Sequence, residues 1–178
     1  MGALFSSDIS PAVFKGISTN LATREQRRLY RRFMRLSRGA PVLSADQLSR
    51  IPELTTNPLR TRITSLFVDL PDNQISFASF LRNLEGLSIW GSLDDMLTFS
   101  FKVYDVDGDG IISASDIEAI IMCIIGDLET SVSPTLIENS VRNTLHGFSQ
   151  TNEPITLELF SRTIKALPGA ESRFAIAF

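Results

Sequence analysis

The chain has 178 residues, 43% hydrophobic and 21% charged, and its 17 basic and 20 acidic side chains leave a formal net charge of −3. This is a globular composition, long enough for one domain or two small lobes sharing a core. The mean hydropathy of +0.10 points to apolar surface that a partner covers. The one cysteine, Cys123, excludes an internal disulfide, and within the apolar run "AIIMCII" it reads as a buried core thiol. That run is far too short to span a bilayer. No stretch reads as a secretory signal, so a cytoplasmic protein is the default expectation.

In chain order, residues 1–22 read as an N-terminal arm. Its first residues, "MGALFS", fit the N-myristoylation pattern, with Gly2 as acceptor and Ser6 at the favoured place. A single acyl chain gives only marginal membrane binding, so a second signal is needed. The next segment offers one. Thr23 and Gln26 have capping-box spacing at the start of a helix with Leu29, Phe33 and Leu36 on its apolar face. Arg24, Arg27, Arg28, Arg31, Arg32, Arg35 and Arg38 are spaced to form the opposite face. Such a stripe fits a solvated helix face, an anionic membrane surface or an acidic partner. One basic stripe on an acidic protein argues against nucleic acid.

Further helix starts are marked by Ser44 with Gln47, by Asn57-Pro58 and Ser133-Pro134, and by Ser76, Ser92 and Thr156. Behind them apolar residues recur at helical spacing: Leu59, Ile63, Leu66, Phe67 and Leu70; Phe77, Phe80, Leu81 and Leu84; Leu93, Leu97, Phe101 and Tyr104. The pattern continues through Ile117, Ile120, Ile121 and Ile124; Ile137, Val141 and Leu145; and Phe160, Ile164 and Leu167. No segment alternates long enough for a substantial strand. The expected fold is all-α, with about eight short helices.

An internal repeat organises them. The segments "VLSADQL", "QISFASF", "IISASDI" and "PITLELF" each place an apolar residue, then Ser or Thr, before a helix. Four helix–loop–helix units in two pairs follow, one pair over 23–90 and one over 91–167, with an apolar tail at 168–178. Leu43, Ile75, Ile112 and Ile155 take equivalent places, where paired loops exchange a two-residue strand.

One unit kept its acids. "DVDGDGIISASD", Asp105 to Asp116, matches the EF-hand loop, which supplies oxygens to a hard cation from positions 1, 3, 5, 7, 9 and 12 around a glycine at 6. The ligands expected are Asp105, Asp107, Asp109, the Ile111 carbonyl, Ser113 and Asp116, with Gly110 at the bend. A glutamate at position 12 reaches calcium with both oxygens. Asp116 is a methylene shorter, which favours magnesium's octahedron over calcium's larger shell. One mixed Ca2+/Mg2+ site of moderated calcium affinity is therefore expected. Around Ile75 the first and third ligand places hold Val68 and Leu70, and around Ile155 Phe148 stands first and Leu159 last. The first loop, "SRGAPVLSADQ", lacks acids at its early ligand positions. These three loops read as structural.

"RRLYRRF", "IPELTTNPLRTRI", "FKVYDVDGDGIISASDI" and the closing "ESRFAIAF" resemble the calcium- and integrin-binding family, a branch related to calcineurin B. The resemblance covers roughly residues 20 to 178. The Pro-Glu-Leu…Asn-Pro stretch is shared with calcineurin B, whereas Asp116 and the short aromatic tail lean toward the calcium- and integrin-binding branch. The resemblance implies a myristoylated adaptor that binds amphipathic helices of receptor tails, channels and kinases. The alternative is a calcineurin B-like regulatory subunit that clamps a helix of a phosphatase catalytic subunit. The lack of a working fourth loop departs from the adaptor family's pattern.

Nothing in the chain reads as catalytic. His146, the one histidine, precedes Gly147 at an expected helix end, where it can cap carbonyls. A partner helix needs an apolar trough, and Leu66, Phe67, Phe80, Leu84, Leu97, Phe101, Ile121 and Ile124 are the candidate walls. Phe174, Ile176 and Phe178 of the tail are expected to fold over part of that trough and compete with the partner.

Overall fold

The computed structural model describes residues 11–17, 19, 21–87, 92–126, 132–148 and 153–168. Gly2 and Ser6 of the acylation motif, and Phe174, Ile176 and Phe178 of the tail, lie outside them.

A 3-10 turn at Pro11–Phe14 precedes α1 (Thr23–Leu36), β1 (Leu43–Ser44), α2 (Ala45–Ser49), α3 (Pro52–Thr55), α4 (Arg60–Ser65), β2 (Gln74–Ile75) and α5 (Phe77–Leu87). Then come α6 (Leu93–Tyr104), β3 (Ile111–Ile112), α7 (Ala114–Gly126), α8 (Pro134–Phe148), β4 (Ile155–Thr156) and α9 (Leu157–Lys165). The two-residue strands pair antiparallel, Leu43 opposite Ile75 and Ile112 opposite Ile155, at the four places marked by the repeat. Among the described residues no helix is long and apolar enough to cross a membrane.

Local chemistry explains most helix starts. Ser44 accepts the Gln47 amide at 3.1 Å while Gln47 accepts the Ser44 amide at 2.9 Å, a complete capping box. Ser92 and Asp95 do the same for α6. Ser76, Ser133 and Thr156 accept the amides of Ser79, Leu136 and Leu159. Two expected starts differ. Thr23 is the first residue of α1 and Ala22 its cap, because Gln26 turns away to donate to the Leu21 carbonyl at 2.7 Å. Asn57 accepts the Leu59 amide at 2.8 Å, but α4 begins only at Arg60. The one-turn α3 was not anticipated. Ile51, ahead of Pro52, is held extended (φ −67°, ψ 145°) and separates it from α2.

Apolar faces meet in two cores. The first gathers Leu29, Phe33, Leu43, Leu54, Phe67, Ile75, Phe80 and Leu84, with edge-to-face rings from Phe14 through Phe77 and Phe33 to Phe80. The second gathers Leu97, Phe101, Ile112, Ile117, Ile155, Phe160 and Ile164. Helix α6 serves both. Its Leu97 and Phe101 belong to the second core, while Phe99 and Val103 are buried in the first. Gly86 of α5 lies so close to α6 that a Cβ there would meet the Phe99 Cβ at 2.6 Å.

Several sequence expectations need correction. Phe67, Phe80, Leu84, Leu97 and Phe101 are core residues and line no open trough; Leu66 and Ile121 are half-buried, and of the candidate walls only Ile124, at 40%, is exposed. Cys123 is exposed beside Met122, because a helix apolar all round its second half still turns only one face, Ile117 and Ile120, to the core. Arg38 is not on α1, which ends at Leu36; it sits in the following turn at φ 57°. Gly147 lies inside α8, which runs on to Phe148, and His146 is an exposed residue of that last turn.

Candidate metal centre

Helix α6 stops at Tyr104, and Asp105 leaves it with φ −76° and ψ 86°. The chain then turns on Gly108 and Gly110, whose φ of 76° and 88° any side chain would strain. Asp105 is buried, and its carboxylate organises the turn: Oδ1 accepts the Gly108 amide at 2.8 Å and Oδ2 the Gly110 amide at 3.1 Å. Asp107 and Asp109 are exposed and accept the amides of Asp109 and Ile111. One oxygen from each of Asp105, Asp107 and Asp109 lies within 4.8 Å of the others. Three carboxylates at this separation repel one another, and a divalent cation between them removes the repulsion. The donor set is all oxygen, as hard Ca2+ and Mg2+ require. The residues fit the ion.

Asp116 is arranged differently. It is buried at the start of α7 and faces the loop's own backbone. Oδ1 accepts the Val106 amide at 2.9 Å, and Oδ2 accepts the Ser113 amide at 2.8 Å and the Ser113 hydroxyl. Burial pushes its carboxyl up, but the Ser113 hydroxyl and the Ser113, Val106 and Asp107 amides outweigh this and hold it below its ordinary value. Ser113 also shares a hydrogen bond with Ser115. Thus three of the expected side-chain ligands converge, while Asp116 and Ser113 bind each other and pull α7 onto the loop.

The second loop is closed by internal hydrogen bonds. Asp69 accepts the Ser76 amide at 2.8 Å and the Ser76 hydroxyl at 2.6 Å, and Ser79 donates to the Phe67 carbonyl at 2.7 Å. Asp72 and Asn73 make its bend at φ 58° and 55° without glycine.

Of the expected basic stripe, Arg24, Arg27, Arg31 and Arg35 are exposed on α1. Arg28 pairs with Glu25 at 3.5 Å, and Arg32 bridges to Glu53 of α3 at 2.6 Å. Beside the metal loop, an apolar pocket of about 210 Å³ opens between Tyr104, Ile117, Ile121, Phe148, Phe160 and Ile164. Sequence reasoning passed over Arg62 of α4, whose guanidinium reaches the carbonyls at the end of α6. Forty or more residues separate them, and no local pattern marks such a contact.

Paired helix–loop–helix units joined by two-residue strands, with a loop that brings three carboxylates together, define an EF-hand protein. The calcineurin B protein of Naegleria gruberi is 32% identical over 148 residues, 82% of each chain. The type 1 calcineurin B protein of Dictyostelium discoideum is 30% identical over 161 residues, 89% of this chain and 88% of that one. The calcineurin B protein of Yarrowia lipolytica is 31% identical over 130 residues, 69% of this chain and 75% of that one. No protein-family model matches. The chain belongs to the calcineurin B family of EF-hand proteins, and it is a regulatory protein and not an enzyme. Of the two branches the residues left open, these relatives carry the calcineurin B name.

Proposed function

We propose that the chain is a metal-dependent regulatory subunit that clasps an apolar helix of an enzyme's catalytic subunit, a protein phosphatase being the class that its relatives' name favours. The observation that carries this reading is the apolar pocket walled by Ile117 and Ile121 of α7, the helix that leaves the metal loop. Ile124 is exposed one turn further along the same helix, and Met122 lines a separate groove with Pro134, Ile137, Val141 and Leu145 of α8. Whatever the ion does to α7 reaches this pocket directly. The loop takes one ion, Ca2+ or Mg2+, through Asp105, Asp107, Asp109 and the Ile111 carbonyl, with Ser113 and Asp116 closing it from α7.

The deciding experiment is titration of the chain with a helical peptide from a phosphatase catalytic subunit in calcium, in magnesium and in chelator. Binding that tightens with metal and falls away in chelator is expected. Affinity indifferent to metal removes the regulatory reading.

A second reading, an adaptor held at a membrane, is supported by the exposed Arg24, Arg27, Arg31 and Arg35 together with Gly2 as acyl acceptor. Its partner is an amphipathic helix of a membrane-protein tail. Myristoylated chain then binds anionic vesicles better than neutral ones, and the preference weakens as salt rises. Equal binding to both leaves the stripe without this role.

A further inference from the structure

The metal loop is held at its leading end by a residue from the metal-free half of the chain. Arg62 of α4 donates from Nη2 to the carbonyls of Lys102 and Asp105, each at 2.6 Å, and from Nε to the carbonyl of Val103 at 3.2 Å. These oxygens belong to the last turn of α6 and the residue that caps it, where a helix leaves carbonyls without an intrahelical partner. A cation there is also favoured by the helix dipole. Asp105 supplies both ends of the connection. Its carbonyl takes Arg62, and its carboxylate is the first expected ligand and the acceptor of the Gly108 and Gly110 amides.

The surroundings give this clamp a purpose. On its trailing side the loop is joined through β3 and β4 to a fourth loop with Phe148 and Leu159 at its first and last ligand places, so no second ion stiffens the pair. On its leading side, Phe99 and Val103 fix α6 in the first core. Rigidity, with ligand charge, is what sets affinity in such loops.

We infer that Arg62 is a positioning residue for the metal loop: it holds Asp105 in binding geometry and carries the ion's arrival to α4 and α5. The inference rests on the reading of this loop as a metal site. Arg62 also brings a positive charge toward the cation, and the charge alone acts in the opposite direction. Lysine separates the two effects, since it keeps the charge but replaces a planar fork of donors with one nitrogen on a flexible stem.

The test is calorimetric titration of calcium into the full chain, Arg62→Gln and Arg62→Lys, with hydrogen exchange of the α4 and α5 amides followed with and without calcium. The unaltered chain binds calcium, and both variants bind it about tenfold more weakly, as loss of site rigidity predicts. Calcium slows exchange in α4 and α5 of the unaltered chain and does so far less in either variant. Tighter binding by Arg62→Gln with unchanged binding by Arg62→Lys would show a charge effect and overturn the inference. So would equal affinities, or equal slowing, in all three chains. If circular dichroism shows Arg62→Gln unfolded, Arg62→Lys decides alone, because the charge effect predicts no change in it. No calcium uptake by the unaltered chain removes the metal reading itself, a result distinct from the others.

Discussion

Asp116 shows how one methylene divides two tasks. Its carboxylate is occupied by Val106 and Ser113, so it ties α7 to the loop where a longer side chain could reach the ion with both oxygens. Asp116→Glu is therefore expected to raise calcium affinity by about tenfold, roughly 1.4 kcal/mol, and to raise selectivity over magnesium. Asp105→Ala is expected to abolish binding, because it removes a ligand and also the acceptor that shapes the turn at Gly108 and Gly110. Calorimetry checks both, and two tight calcium sites in the unaltered chain would end the single-site reading. The loop was legible in the sequence because its ligands lie within twelve consecutive positions. Whether Asp116 faces the ion or the backbone was not, since that is decided by a Ser113 rotamer and three amides.

At the scale of elements, the sequence was most informative where the physics is local. The caps at Ser44, Ser92 and Thr156 and the register of Leu43 on Ile75 and Ile112 on Ile155 follow from residues a few positions apart. The readings that failed are those settled by a third party. The spacing of Ile117, Ile120, Ile121 and Ile124 marks the inward face of α7, but Met122 and Cys123 are apolar too, so the exposure of Cys123 depends on how much of that helix the core covers. Five of the expected trough walls, Phe67, Phe80, Leu84, Leu97 and Phe101, failed likewise, because periodicity finds buried-type residues without saying whether another helix already covers them. Gly86 is a further case. A lone helical glycine ordinarily costs about 1 kcal/mol against alanine, but here the Phe99 Cβ leaves no room. Gly86→Ala is expected to force α5 and α6 apart and cost about 1–3 kcal/mol, the usual range for overpacking. Gly147→Ala, whose new Cβ meets nothing within 4 Å, is expected to leave stability unchanged or slightly raised. Urea unfolding of the two variants checks the contrast, and a Gly86→Ala midpoint at or above that of the unaltered chain would mean that the helices yield freely.

For the whole molecule, the question is whether an ion at the third loop can matter to the chain as a whole. Two cores that merely touched would unfold separately, and calcium would stabilise only the one that binds it. Here α6 belongs to both, through Leu97 and Phe101 on one side and Phe99 and Val103 on the other. Arg62 adds polar bonds across the same junction. Losing the second core strips cover from α6 and so from the first, so the chain is expected to unfold in one step. A ligand that binds only the folded state stabilises it by RT ln(1 + [L]/Kd), about 2.7 kcal/mol at a hundredfold excess over Kd. Because the step is shared, this stabilisation should appear equally in the exchange protection of α1, which has no ligand, and of α9, which packs behind the loop. Chelator should remove it from both. Two thermal transitions, with calcium moving only the one that reports α9, would show the lobes to be independent and confine the ion's influence to the second.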